Sequence, residues 1–258
     1  MVRVLVTGGA GYVGSHTCKA LAAAGHEPVV YDSLARGQRG AVRWGPLEVG
    51  GLGEVARLSE VFRRYRPVAV LHFAAYIAAG ESVEQPGAYY RNNVTGSLAL
   101  LDTMLEHGVD LMVFSSTAAV YGNPQTIPMP ETHAKQPINP YGWSKFMVEQ
   151  ILSDHSVAHG VRSVALRYFN AAGADSDGEI GECHDPETHL IPLVLQAAFG
   201  KRPSFTIFGT DYDTHDGTAI RDYIHVTDLA VAHVAALDYL FSGAQSTALN
   251  LGTGQGHS

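Results

Sequence analysis

The chain has 258 residues, enough for one large α/β domain or two modest ones. Hydrophobic residues make up 46% and charged residues 16%, which excludes intrinsic disorder and a collagen-like fibre. Seventeen Lys and Arg against twenty-five Asp and Glu leave a formal charge of -8, which argues against nucleic acid as the main partner.

Residues 2–7 read as a buried strand that runs straight into glycines, a start unlike a signal peptide. A helix over about 15–24 and a second strand over 27–31 complete a β-α-β unit ending at Asp32. Residues 37–53 are glycine-rich and carry little periodic signal. A helix over 58–65 stops before Pro67, and 68–73 is the next apolar strand. Val94, Leu98, Leu101 and Leu105 have helical spacing within 89–107. A strand over 111–115 ends at Ser116 and Thr117. A proline-rich loop follows over 124–140, then a helix over 141–159 and a strand over 161–168. This alternation predicts an α/β fold, a Rossmann-type doubly wound parallel sheet covered on both faces.

From Asn170 to Arg221 the texture changes to Gly, Asp, Glu, Pro and Thr, with one helix over 192–198. We read it as a smaller, loop-rich substrate-binding region. Residues 228–239 are helical again and 247–251 form a strand. The expected division is a nucleotide domain over 1–169, with 222–250 returning to it. The substrate region is then 170–221 together with 251–258, and it is expected to be cut short at Ser258. Cys18 and Cys183 are the only cysteines, so no disulfide scaffold is expected. No apolar run reaches the length of a membrane span. A cytoplasmic protein without membrane partners is the expectation, with the Asn93-Val94-Thr95 glycosylation pattern inert.

Gly8, Gly11 and Gly14 lie between a strand and a helix. Gly8 permits a tight turn, Gly11 lets the backbone approach pyrophosphate, and Gly14 allows close helix–strand packing. Asp32, at the end of the second strand, suits the adenosine ribose hydroxyls and repels a 2′-phosphate. The expected cofactor is therefore NAD rather than NADP, although Arg36 and Arg39 lie nearby.

Tyr141 and Lys145 are spaced i and i+4, so one helical face carries both. An ammonium near a phenol favours the phenolate, which can take a hydroxyl proton while hydride leaves the same carbon. Thr117 is the candidate to orient that hydroxyl, with Ser115 and Ser116 as competitors and a helix cap as the plainer role. His72 reads as a core or loop partner. His184 and His189, with Asp185 and Glu187, read as a solvated loop rather than a metal patch. No metal is expected.

These residues carry a resemblance to the extended short-chain dehydrogenase/reductases that act on nucleotide sugars. It extends over the whole chain and rests on longer segments. Val6-Thr7-Gly8-Gly9-Ala10-Gly11-Tyr12-Val13-Gly14, Gly80-Glu81-Ser82-Val83 and Tyr89-Tyr90-Arg91-Asn92-Asn93-Val94 are three of them. Phe114-Ser115-Ser116-Thr117, Pro140-Tyr141-Gly142-Trp143-Ser144-Lys145, Leu166-Arg167-Tyr168-Phe169-Asn170 and Arg221-Asp222-Tyr223-Ile224-His225-Val226 complete the set.

The resemblance implies a catalytic set of Thr117, Tyr141 and Lys145. It implies NAD contacts at Gly8, Gly11, Tyr12, Val13, Asp32, Phe73, Ala74, Asn93, Ser115, Tyr141, Lys145 and Tyr168. It implies a UDP-sugar site at Thr117, Tyr141, Asn170, His189, Leu190, Thr206, Phe208 and Arg221, and a homodimer joined through 89–107 and 141–159. The implied reaction is reversible C4 epimerisation between UDP-galactose and UDP-glucose through a 4-keto sugar. A C4 epimerase of another UDP-sugar, or an NAD-binding fragment without full activity, are the alternatives. Elimination or decarboxylation would call for an acid just after Thr117, where Ala118 and Ala119 stand. Glu48-Val49-Gly50-Gly51-Leu52 lacks the acid that usually meets adenine in the family.

Overall fold

A computed structural model describes residues 1–258. β1 (Arg3–Thr7), β2 (Glu27–Asp32), β3 (Leu47–Val49), β4 (Ala69–His72), β5 (Leu111–Thr117), β6 (Arg162–Tyr168) and β9 (Thr247–Leu251) form one sheet. Its order is β3-β2-β1-β4-β5-β6-β9, and every pairing in it is parallel. Consecutive residues face opposite cores, which explains the unbroken apolar stretches within these strands. Leu5 enters a core with Tyr31, Leu58, Phe62 and Leu100 on one face. Val4 and Val6 enter a second core with Leu21, Leu71 and Leu237 on the other.

Helices α1 (Tyr12–Ala23) and α8 (Val226–Phe241) supply the second core. α2 (Val55–Tyr65), α5 (Gly96–Glu106) and α6 (Pro140–His159) supply the first. α1 starts three residues earlier than its periodicity suggests because Gly11, in extended conformation, serves as its N-cap. The region 79–106 is not one helix. α3 (Ala79–Glu84) and α4 (Pro86–Tyr89) precede a widened π turn, Tyr90–Thr95, and only then does α5 begin. β3 escapes sequence detection because it has three residues and lies in a glycine-rich stretch.

A second, three-stranded sheet holds β7 (Asn170–Ala172), β8 (Arg221–His225) and β10 (Gly256–His257), in the order β10-β8-β7. Asn170 pairs with Tyr223 and His225 with Ala172. Asp222–His225 thus pair within the smaller sheet, and α8 follows at Val226. Leu251 pairs with Tyr168 and closes β9 in the large sheet. Between β7 and β8 the one helix is α7 (Leu190–Ala198), none of whose residues is buried.

Candidate active site

The strand order reverses between β1 and β4, where the carboxyl ends of neighbouring strands diverge and a crevice opens. Both borders of that crevice are built from the predicted residues. Gly8 follows β1 with φ +74, and a Cβ there would lie 2.5 Å from the Ala74 nitrogen. Phe73 and Ala74 both donate their N–H to the Thr7 carbonyl, at 2.9 and 3.1 Å. A Cβ on Gly14 would lie 2.3 Å from the Gly8 carbonyl oxygen, so the first turn of α1 sits directly on the loop. Tyr12 and Val13 form that first turn. No side chain caps it, which leaves its N–H groups for an anion.

Asp32 is buried at the end of β2. One carboxylate oxygen accepts the Ala10 N–H at 3.0 Å and the other the Leu34 N–H at 2.8 Å. Burial raises its pKa, and the two N–H donors work against the rise. An ionised carboxylate has about four acceptor positions, so two bonds leave room for ribose hydroxyls. The glycine cradle and the spare capacity of Asp32 both fit a dinucleotide. Gly50 also has a physical reason. The Tyr31 hydroxyl donates to the Gly51 carbonyl at 2.9 Å, and a Cβ on Gly50 would lie 2.4 Å from that hydroxyl.

Asn139 caps α6 by accepting the Gly142 N–H at 2.8 Å, and Pro140 takes the first helical position. A Cβ on Gly142 would meet the Ala119 carbonyl at 2.7 Å, so α6 begins tight against the turn after β5. This brings the Tyr141 phenol to the Thr117 hydroxyl. Burial raises the phenol's pKa, and Thr117 works against the rise. Thr117 also caps the short turn after β5, accepting the Ala119 N–H at 3.1 Å. Lys145 is buried, donates to the Ser115 carbonyl at 2.7 Å, and lies 4.9 Å from the centre of the Phe114 ring. Burial pushes its pKa down to about 7, against the attraction of Glu149. The Ser115 hydroxyl bonds the Tyr168 hydroxyl at 2.6 Å, and the nearby Tyr141 phenol adds to the burial that raises Tyr168.

Two predicted residues are engaged differently. The Ser116 hydroxyl donates to Glu149 at 2.5 Å, so it does not compete with Thr117. The buried Asn93 amide gives its hydrogen bonds to Tyr76 and Ser144, bracing the 73–76 loop against α6. His72 is a core residue between Thr7, 2.7 Å away, and Ser97, 2.8 Å away.

The candidate sugar contacts are far less enclosed. Asn170 is partly buried in β7, and His189 caps α7 just before Leu190, which is half exposed. Thr206 is exposed, Phe208 is 85% exposed, and the Arg221 guanidinium rests on the Ile220 carbonyl at 2.8 Å. The structure does not gather Thr206, Phe208 and Arg221 into a closed pocket. In the segment 182–189, Cys183, Asp185, Pro186 and Thr188 face solvent while the other four side chains turn toward one another. Glu182 and Glu187 are each 8% exposed and draw in His184 and His189, while Asp185 stays outside the group.

A family model described as the NAD dependent epimerase/dehydratase family matches residues 4–252. The chain belongs to that family. A UDP-glucose 4-epimerase of Rhizobium meliloti (strain 1021) is 59% identical over 254 residues, covering 98% of this chain and 77% of that protein. Among solved structures, UDP-glucose 4-epimerase from Brucella ovis in complex with NAD superposes with a TM-score of 0.97. It is 54% identical, and the match covers 100% of this chain and 79% of that one. The enzyme from Stenotrophomonas maltophila, with bound NAD and formylated UDP-arabinopyranose, gives a TM-score of 0.95 at 43% identity. That match covers 100% of this chain and 80% of the other.

In this family member, the sequence reading misses a buried ion pair behind the site. Arg167 of β6 and Glu149 of α6 meet at 2.5 Å with side chains 5% and 8% exposed. Arg167 also donates to the Tyr121 hydroxyl at 2.9 Å. A signal was present: Glu149 continues the i, i+4 series of Tyr141 and Lys145 on the same helical face.

Proposed function

We propose that the chain is an NAD-dependent epimerase that interconverts UDP-galactose and UDP-glucose at C4. The observation that carries this is the grouping of Thr117, Tyr141, Lys145, Ser115 and Tyr168 at the carboxyl ends of β5 and β6. Ala118 and Ala119 follow, so no acid stands there to drive elimination or loss of carbon dioxide. The names of the relatives support the same reading.

Tyr141 takes the proton from O4 of the sugar and later returns it. Its burial favours the neutral phenol, so it needs positive charge nearby to act as a base close to neutral pH. Lys145 supplies part of that charge. Its own protonation is marginal at neutral pH, and the nearby Glu149 carboxylate helps to hold it. Thr117 holds O4 in line with the phenol. Gly8, Gly11, Tyr12 and Val13 receive the pyrophosphate, Asp32 the adenosine ribose, and Phe73, Ala74, Ser115 and Tyr168 border the nicotinamide end. NAD held there would supply the hydride acceptor and donor for C4, and the open pocket leaves the 4-keto sugar room to turn between the two transfers. Asn170, His189, Leu190, Thr206 and Phe208 bind the UDP-sugar, and the Arg221 fork suits its diphosphate.

The functional unit in this proposal is a homodimer joined by α5 and α6, supported by Trp143 and Met147, both 40% exposed and one turn apart on α6. No helix is long and apolar enough to cross a membrane, and the two cysteines are unpaired. We place the enzyme in the cytoplasm.

Incubation with UDP-galactose, product chromatography and absorbance near 340 nm test the reaction together. UDP-glucose forming without stoichiometric NADH is the expected result. A 4-keto-6-deoxy product, carbon dioxide release, or no turnover of any UDP-sugar contradicts the proposal.

A further inference from the structure

Four side chains beside the cofactor crevice form a cluster, of which the proposed reaction uses His189 alone. One ligand atom from each of Glu182, His184, Glu187 and His189 lies within 4.8 Å of all the others. His184 Nδ1 is 3.2 Å from a Glu182 oxygen and 3.7 Å from a Glu187 oxygen. In a tetrahedron with bonds of about 2.1 Å, neighbouring ligands stand about 3.4 Å apart. His184 Nδ1 is buried and faces both carboxylates. His189 Nδ1 also approaches the Glu182 oxygen closely. The same Glu187 oxygen accepts the Thr188 and His189 N–H groups, which fixes its direction.

We propose that Glu182, His184, Glu187 and His189 bind one divalent cation of the zinc class. Two neutral imidazoles and two carboxylates balance a charge of +2. Mixed nitrogen and oxygen donors favour such a cation over magnesium or calcium, which take oxygen alone. Four protein ligands make a closed site of the structural kind. Binding through His189 Nδ1 leaves His189 Nε2 outside the cluster. The His184 ring meets the Tyr12 ring edge-on with centres 6.3 Å apart, and Tyr12 donates to the Gly173 carbonyl at 2.5 Å. A cation there fastens the segment 173–189 to the first turn of α1. The neighbouring Asp175, Asp177 and Glu179 are not a second such site, because Lys19 already lies within 2.8 Å of all three.

The test uses the full chain, stripped of metal with a chelator. It carries His155→Ala to remove the surface pair His155 and His159, whose rings lie 5.5 Å apart. Titration with cobalt(II) should give one equivalent of tight uptake with the strong visible absorption of a tetrahedral ion, reversed by zinc. Hydrogen exchange across residues 173–198 should slow on loading. His184→Ala and Glu187→Gln should each weaken uptake by more than the ~10-fold that loss of an outer partner already costs. Gln at 187 keeps an acceptor for the two N–H groups. If either variant fails to fold, the stoichiometry, spectrum and exchange of the parent decide. Uptake below one equivalent, an octahedral spectrum, or unchanged affinity in both variants overturns the proposal.

Discussion

Residues 3–169 and residues 170–221 are held by different means. In the first region the strands are sandwiched, and β4 and β5 are buried from end to end. Its functional groups are fixed through backbone contacts: Gly14 against Gly8, Gly142 against Ala119, Lys145 on the Ser115 carbonyl. In the second region α7 buries no residue, and Phe205, Ile207 and Phe208 are all exposed. It is tied to the rest at a few points, chiefly Lys19 to Asp175 and Tyr12 to Gly173. Packing therefore sets the geometry of the proposed cofactor and proton-transfer groups, while the proposed sugar contacts are positioned locally. A defect in the first region should damage both rate and stability. One in the second should spare the fold.

The sharpest way to break this contrast is Tyr141→Phe, which keeps the ring and removes the proton acceptor. Turnover should fall by at least ~10²-fold while NAD still binds. Near-normal product formation on chromatography would move the chemistry to another group. Glu149→Ala should come next, because it strands the buried Arg167 guanidinium. Denaturant unfolding should show a loss of about 3–5 kcal/mol. A loss below 1 kcal/mol would mean the pair is solvated and the packing argument fails.

Acid should act on the large sheet and its covering helices through two histidines, His72 in β4 and His233 in α8. Burial lowers His72 to about 3 and His233 to about 4, from 6.5. The unfolded chain takes up protons at these positions first. Their contribution to stability is therefore complete above pH 6.5 and declines as pH falls toward 4 and then 3. Unfolding free energy measured at pH 7.5 and pH 5 should drop at the lower value, and a flat profile would contradict the burial. The smallest effect belongs to the second region. Phe208→Ser should change stability by no more than about 0.5 kcal/mol, since the ring is almost wholly in water. A larger loss by thermal unfolding would show that the segment 199–220 supports the fold.

What could be read from the sequence follows the same division. The parallel sheet was legible because its strands are continuously apolar and the glycine loop must sit between strand and helix. Tyr141 and Lys145 were legible because helical spacing alone puts them on one face. The ion pair of Glu149 and Arg167 was not, since its partners come from α6 and β6 and only the sheet packing joins them. β7 and β10 were hidden because strands of two or three residues carry almost no periodicity, and β8 because Arg221, Asp222 and His225 make it largely polar. The grouping of Glu182 with His184, Glu187 and His189 depends on a loop path that composition read as solvated.

Carriage of the C4 hydrogen out and back without exchange is the claim on which the account rests. UDP-galactose deuterated at C4 tests it most directly, converted in the presence of excess unlabelled NADH. The account predicts UDP-glucose that keeps its deuterium at C4 in full. Deuterium lost to water, or diluted by the added NADH, would contradict it.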